Sequence, residues 1–224
     1  MGEWMQIGPT DDRAYLATPE RGSGPGVLVL HAWWGLTEVF TGVCDRLAAA
    51  GFVALAPDLY ASGATTDSIA EAEQLVAAHD RAPEKAKAIV QAAVDDLLAS
   101  PAATGGKIGI VGYSMGAYWA LHLSQARPDK ISAVVVFYGT DDGEYDTARA
   151  AYLGHFAEND DFEPMAGVRA LETTMRAAGH EVTFHIYPGT GHWFVEPNRP
   201  DVYNAEAAAL AWERTLAFLQ AQLA

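Results

Sequence analysis

Between Lys107 and Leu123 the chain changes from strand to helix across one pentapeptide. Lys107-Ile108-Gly109-Ile110-Val111 reads as a short buried strand, and Ala117-Tyr118-Trp119-Ala120-Leu121-His122-Leu123 reads as a helix. Between them lies Gly112-Tyr113-Ser114-Met115-Gly116. A strand, a G-x-S-x-G turn and a helix make a nucleophile elbow. The turn is so tight that side chains larger than Gly two residues either side of the serine would clash. It lifts the serine Oγ above a sheet, toward a base, at the N-terminal end of a helix. A chain that carries such an elbow has to supply a sheet beneath it.

The remaining pattern supplies one. Val27-Leu28-Val29-Leu30 is a first buried strand, followed by a helix near Glu38 to Ala50 that Gly51 ends. Phe52–Ala56 is a second strand, stopped by Pro57. Helical stretches follow near 67–80 and 84–100, with Pro83 starting the second. Ala133-Val134-Val135-Val136-Phe137-Tyr138 is nearly all β-branched or aromatic and is the clearest buried strand. Tyr152–Phe156 is another, then a helix near Pro164–Ala178, a last core strand at Val182–Tyr187 and a long helix from about Asp201 to Leu223. Continuous apolar strands separated by helices indicate α/β architecture: a mainly parallel central sheet with helices on both faces. Tyr15-Leu16-Ala17 is a candidate antiparallel edge. Gly22-Ser23-Gly24-Pro25-Gly26 precedes a strand, so a tight turn is the better reading than a phosphate-binding loop. Without repeat, low-complexity tract or long linker, residues 1–224 are expected to form a single domain.

Composition narrows the function classes. Half the residues are hydrophobic, mean hydropathy is +0.01 and the formal charge is −15. A strongly acidic chain is a poor partner for nucleic acid or an anionic membrane. No apolar run approaches the ~20 residues that span a bilayer. Met1-Gly2-Glu3-Trp4-Met5-Gln6 lacks the basic and apolar regions of a signal peptide, so cytoplasmic residence is expected. The single cysteine, Cys44, excludes an internal disulfide and a cysteine-cluster metal site. It follows Phe40 at helical spacing, in the place of a small core hydrophobe.

A serine hydroxyl is a weak nucleophile without an adjacent base, and the base needs an orienting acid. His192 lies in Gly189-Thr190-Gly191-His192-Trp193-Phe194, just past the last core strand. Asp160 lies in Glu158-Asn159-Asp160-Asp161, just past the Tyr152–Phe156 strand. In open α/β sheets, sites gather at such carboxyl ends. His79, His180 and His185 read as surface or strand-face residues, His122 as packing on the elbow helix and His155 as packing within a strand. The acid has competitors: Asp160 ranks first, Asp161 second and Asp142 third, with Asp141 and Asp142 also suited to a turn or helix cap. An oxyanion needs two convergent backbone N–H groups. One is expected from Met115 and the other from the loop His31-Ala32-Trp33-Trp34-Gly35.

Five segments together resemble the dienelactone hydrolase family. They are Leu30-His31-Ala32-Trp33-Trp34-Gly35, Ala56-Pro57-Asp58-Leu59-Tyr60, Gly109–Gly116, Asn159-Asp160-Asp161-Phe162-Glu163-Pro164 and Gly191-His192-Trp193-Phe194, with Ala209–Leu216 also fitting. The resemblance spans nearly the whole chain. It implies an α/β-hydrolase fold without a large cap domain, a triad of Ser114, Asp160 and His192, and a second oxyanion donor at the N–H of Trp33. Three positions depart from the better-known members. Ser114 stands where they carry a cysteine, Ala32 where a glutamate controls that thiol, and Glu196 where an arginine binds the dienelactone carboxylate. The first two changes agree physically. A nearby carboxylate can switch a thiol to thiolate, whereas a serine depends on its histidine.

The expected activity is hydrolysis of a carboxylic ester, lactone or thioester through an acyl-enzyme, with no cofactor and no metal. Trp34, Tyr60, Trp193 and Phe194, with Trp33, are the candidate lining of an aromatic substrate pocket. The expected partner is a small ester or lactone, with the protein a monomer or homodimer. The alternative is a small-molecule-binding protein on the same fold, since fold alone does not fix function.

Overall fold

The structure is a computed structural model that describes residues 2–8 and 12–223. Its contacts gather into two compact units, 1–108 and 109–224.

The first unit holds β1 (Glu3–Ile7), β2 (Asp12–Ala17), β3 (Gly24–Leu30), α1 (Glu38–Ala49), β4 (Val53–Pro57), α2 (Ile69–Asp80) and α3 (Pro83–Ala99). The strand order is β1-β2-β4-β3. β3 and β4 are parallel, with Leu28 beside Leu55, and β2 joins β4 antiparallel, with Leu16 beside Leu55. The expected edge at Tyr15–Ala17 is thus the end of β2, and β1 lies outside it as a further antiparallel strand. Every residue of β4 is buried, so both faces of that strand are covered, and α1 and α3 both pack on β3 and β4. Residues 24–26, read from sequence as part of a turn, open β3 instead. Gly26 is required there, because a Cβ would stand 2.8 Å from the Ile108 side chain. Cys44 is buried in α1 among Phe40, Val43 and Leu47, and burial pushes its thiol pKa up, as suits an inert core residue.

β5 (Ala103–Tyr113) begins in the first unit and ends in the second. After it come α4 (Met115–Ala126), β6 (Ile131–Phe137), β7 (Ala151–Ala157), α5 (Met165–Ala177), β8 (Val182–Tyr187) and α6 (Ala205–Leu223). β6, β7 and β8 lie side by side and parallel, with Phe137 beside His155 and Ala157 beside Tyr187. β7 is buried throughout, whereas β8, the last strand in the order, has exposed Thr183 and Ile186. α4 packs on β6, α6 on β6 and β7, and α5 on β8. Because β5 to β8 end in loops of the same unit, the residues after each strand can converge.

Candidate functional site

Ser114 is the N-cap of α4, and its backbone stands at φ 50°, ψ −114°. A non-glycine residue at positive φ is costly, by about 1–3 kcal/mol, and persists only where its surroundings impose it. Here they do. The Ser114 N–H donates to Phe137 O at 2.9 Å, and the Ala117 N–H donates to Ser114 O at 2.8 Å. A Cβ on Gly112 would lie 2.4 Å from Gly116 O, so the elbow closes only on glycine. Gly139 is equally confined, since its Cβ would come within 2.7 Å of both Ser114 O and the Ala117 Cβ.

His192 and Asp160 reach this serine from the loops after β8 and β7. His192 Nε2 lies 3.0 Å from Ser114 Oγ, and its Nδ1 lies 2.8 and 2.9 Å from the two oxygens of Asp160. A carboxylate only accepts, so Nδ1 carries the proton and Nε2 is left to accept from the serine hydroxyl. The side chains of His192 and Asp160 are 5% and 3% exposed, so the pair is shielded from water. Asp160 Oδ1 also accepts from the N–H groups of Phe162 and Glu163 at 2.9 and 2.8 Å. Asp161 and Asp142 are exposed, and Asp141 is taken up by Gln125, Gly143 and Tyr145. Of the four acids weighed from the sequence, Asp160 is the one brought to His192.

The other candidates divide between the units. In the second, Met115 opens α4, so its N–H belongs to the positive end of that helix. Trp193 is buried at φ 64° and packs edge-on to His192, and Phe194 is fully buried against Tyr138 and Tyr187. In the first, Trp33 and Trp34 meet edge-on, with Trp34 fully buried. Tyr60 turns its hydroxyl to Trp33 O at 2.7 Å. His31 is fully buried; its Nε2 accepts from the Leu59 N–H at 3.0 Å and its Nδ1 donates to Ala32 O at 2.6 Å. Burial lowers the His31 pKa to about 4, which keeps the ring in this neutral form. The loop that carries Trp33 is therefore held at two carbonyls, Ala32 O by His31 within the loop and Trp33 O by Tyr60, and Asp58 holds the Tyr60 turn by accepting from the N–H groups of Tyr60 and Gly63.

Two residues of the site escaped sequence reading. Phe162 is 51% exposed and its ring lies 5.1 Å from His192 and 4.9 Å from Trp193. Its position two residues after Asp160 was the only signal. Tyr138 reads as the end of a core strand, yet it follows β6 at φ 39° and lays its ring 4.8 Å from His192. Its hydroxyl donates to the buried Glu196 at 2.7 Å, and burial with that carboxylate pushes the phenol pKa well up. Glu196 thus sits in a protein-internal hydrogen bond beside the histidine loop. Of the remaining histidines, His155 is buried between Tyr187 and Thr215 in a packing role, and burial holds it neutral. Among the described residues no group of His, Cys, Asp and Glu is disposed to hold a metal ion, and no helix is long and apolar enough to cross a membrane.

Comparison with known proteins agrees with the segments quoted from the sequence. The model of the dienelactone hydrolase family matches residues 13–223, across both units. A putative carboxymethylenebutenolidase of Aquifex aeolicus is 32% identical, with 94% of each chain covered. A probable 2-oxo-3-(5-oxofuran-2-ylidene)propanoate lactonase of a Bradyrhizobium species is also 32% identical, over 97% of this chain and 93% of the relative. In structure, a dienelactone hydrolase-like promiscuous phosphotriesterase from metagenomic libraries superposes with a TM-score of 0.89 at 21% identity, covering 100% of this chain and 99% of that one. That likeness gives the fold, an α/β-hydrolase, and the family match gives the lineage: the chain belongs to the dienelactone hydrolase family.

Proposed function

We propose that the protein is a serine hydrolase of carboxylic esters or lactones that works through an acyl-enzyme on Ser114. The observation that carries this reading is the continuous hydrogen-bond chain from Asp160 through His192 to Ser114. The names of relatives that act on lactones support the substrate class.

In the proposed reaction, His192 Nε2 takes the Ser114 proton as Oγ attacks the acyl carbon. The resulting imidazolium is held by Asp160, which keeps its negative charge. His192 then gives the proton to the leaving alcohol oxygen, and the acyl group stays on Ser114. Water, activated by the same nitrogen, releases the acid. The Met115 N–H would hold the developing oxyanion; one such donor is worth ~3–4 kcal/mol in the transition state. Phe162 and Trp193 offer the substrate an aromatic flank beside the imidazole. No step needs a metal or cofactor.

The test is turnover of short-chain p-nitrophenyl esters and of simple lactones, together with covalent labelling by a fluorophosphonate. Wild type should label and turn over, and Ser114→Ala should do neither. A Ser114→Ala protein as active as wild type would sink the assignment.

A further inference from the structure

Glu163 lies in the acid loop but has no part in the reaction just described. Its N–H donates to Asp160 Oδ1 at 2.8 Å. Its carboxylate accepts twice from Thr140, from the N–H at 3.2 Å and from Oγ1 at 2.5 Å. Glu163 is therefore a bridge, with the triad's acid on one side and the loop after β6 on the other.

That loop is itself fixed to the elbow. Phe137 O accepts the Ser114 N–H, and Gly139 packs so closely on Ser114 O and the Ala117 Cβ that it has no room for a side chain. Thr140 comes next in the chain. The links then close on themselves. The backbone of Ser114 holds 137–140, Thr140 holds Glu163, and Glu163 and its neighbour Phe162 hold Asp160. Asp160 holds His192, and His192 faces Ser114 Oγ. Besides this link, the acid loop is joined to the elbow through His192 and through the pairing of β6 with β7, where the Tyr138 N–H donates to His155 O at 2.9 Å.

We propose that Glu163 is a positioning residue of this site, fixing the Asp160 loop to the elbow through Thr140. The proposal rests on the triad reading above. Asp160 and His192 are the charged or titratable groups that act on Glu163. Facing His192 are Asp160, by direct contact, and the ring of Tyr138, whose hydroxyl goes to Glu196. Glu163 is half-buried, and burial raises its pKa, while the two Thr140 bonds and His192 favour its ionised form.

Two substitutions cut this link from its two sides. Glu163→Gln keeps the shape but removes the charge and one acceptor. Thr140→Val removes the Oγ1 donor while keeping the charge, the volume and the Thr140 N–H. The readouts are kcat and KM on a p-nitrophenyl ester and the rate of Ser114 labelling by a fluorophosphonate, which needs no substrate match, both followed across pH. Each variant should lose about tenfold in kcat and in labelling rate, with KM little changed, as expected for a misplaced catalytic group. The double variant should be no slower than the slower single, because both changes cut one link. Should Glu163→Gln fail to fold by circular dichroism, the Thr140→Val loss still decides the anchor: a wild-type rate overturns it. Wild-type rates in Glu163→Gln, additive losses in the double variant, or a loss that appears in KM with kcat and labelling unchanged each overturn the proposal. If Ser114→Ala is inert while Glu163→Gln matches wild type at every pH, the present proposal alone has failed. If Ser114→Ala is active, the triad reading has failed with it.

Discussion

Asp160→Asn is the sharpest test of how the histidine is held. The wild-type carboxylate has three donors: His192 Nδ1 and the N–H groups of Phe162 and Glu163, the last two at 2.9 and 2.8 Å. Asparagine has one oxygen, and the two backbone donors, in the loop before α5, both need it. Its NH2 is left to face His192 Nδ1, which can then only accept. The imidazole proton moves to Nε2, and the ring can no longer take the proton of Ser114 at 3.0 Å. The fold is expected to survive, because the two loop bonds are kept. The wrong tautomer costs up to ~10⁴-fold in kcat, or about 5.5 kcal/mol of barrier. Steady-state hydrolysis of p-nitrophenyl acetate measures it, with KM expected to change little. An Asp160→Asn enzyme within tenfold of wild type would refute the reasoning and send the search for the acid to another carboxylate. The exposure of Asp161 and Asp142 argues against those two.

Other consequences are as direct. His31 is neutral in the fold, with its pKa lowered to about 4, whereas an unfolded histidine binds a proton near 6.5. Its contribution is whole above about pH 6.5 and is lost as pH falls toward about 4, by roughly 2–3 kcal/mol at pH 4.5. Urea midpoints at pH 7 and 4.5 should therefore separate more in wild type than in His31→Asn; equal separations would rule this out. Gly112→Ala forces a Cβ to 2.4 Å from Gly116 O. It should lower Tm by about 5–10 °C, from overpacking of about 2–3 kcal/mol, and reduce activity; an unchanged Tm by calorimetry would mean the elbow has slack. Phe162→Ala removes an exposed ring 5.1 Å from His192 and should raise KM about fivefold with kcat kept, as loss of partial apolar contact predicts. A fall in kcat alone would show that Phe162 shields the imidazole and is not a substrate contact.

The elements legible in the sequence were those whose residues state their own environment. The runs at Val27–Leu30, Phe52–Ala56 and Ala133–Tyr138 are apolar without alternation, and β3, β4 and β6 are buried strands there. β1 escaped notice because Glu3-Trp4-Met5-Gln6 is largely exposed and owes its strand to pairing with β2. The end of β5 and the elbow were visible because the glycines that permit the turn are part of the motif. Asp160 was harder. Residue type and chain order ranked Asp160 first but still admitted Asp161 and Asp142, and the loop conformation, with two backbone N–H groups turned toward one carboxylate, sets Asp160 apart.

Tyr60 and Tyr138 mark the boundary of that legibility more closely. Both are aromatic, both lie just beyond a strand, and sequence reading gave the first to a substrate pocket and the second to the core. In the fold each works by its hydroxyl: Tyr60 on the carbonyl of Trp33, and Tyr138 on the carboxylate of Glu196. Neither role follows from hydrophobicity or periodicity, because both depend on a single acceptor far away in sequence. Glu196 gives the same lesson in reverse. As an isolated substitution in a family position it reads as a repulsive charge in a substrate site. Buried at 1% exposure and bonded by Tyr138, it is first a partner of the residue that lies against the imidazole.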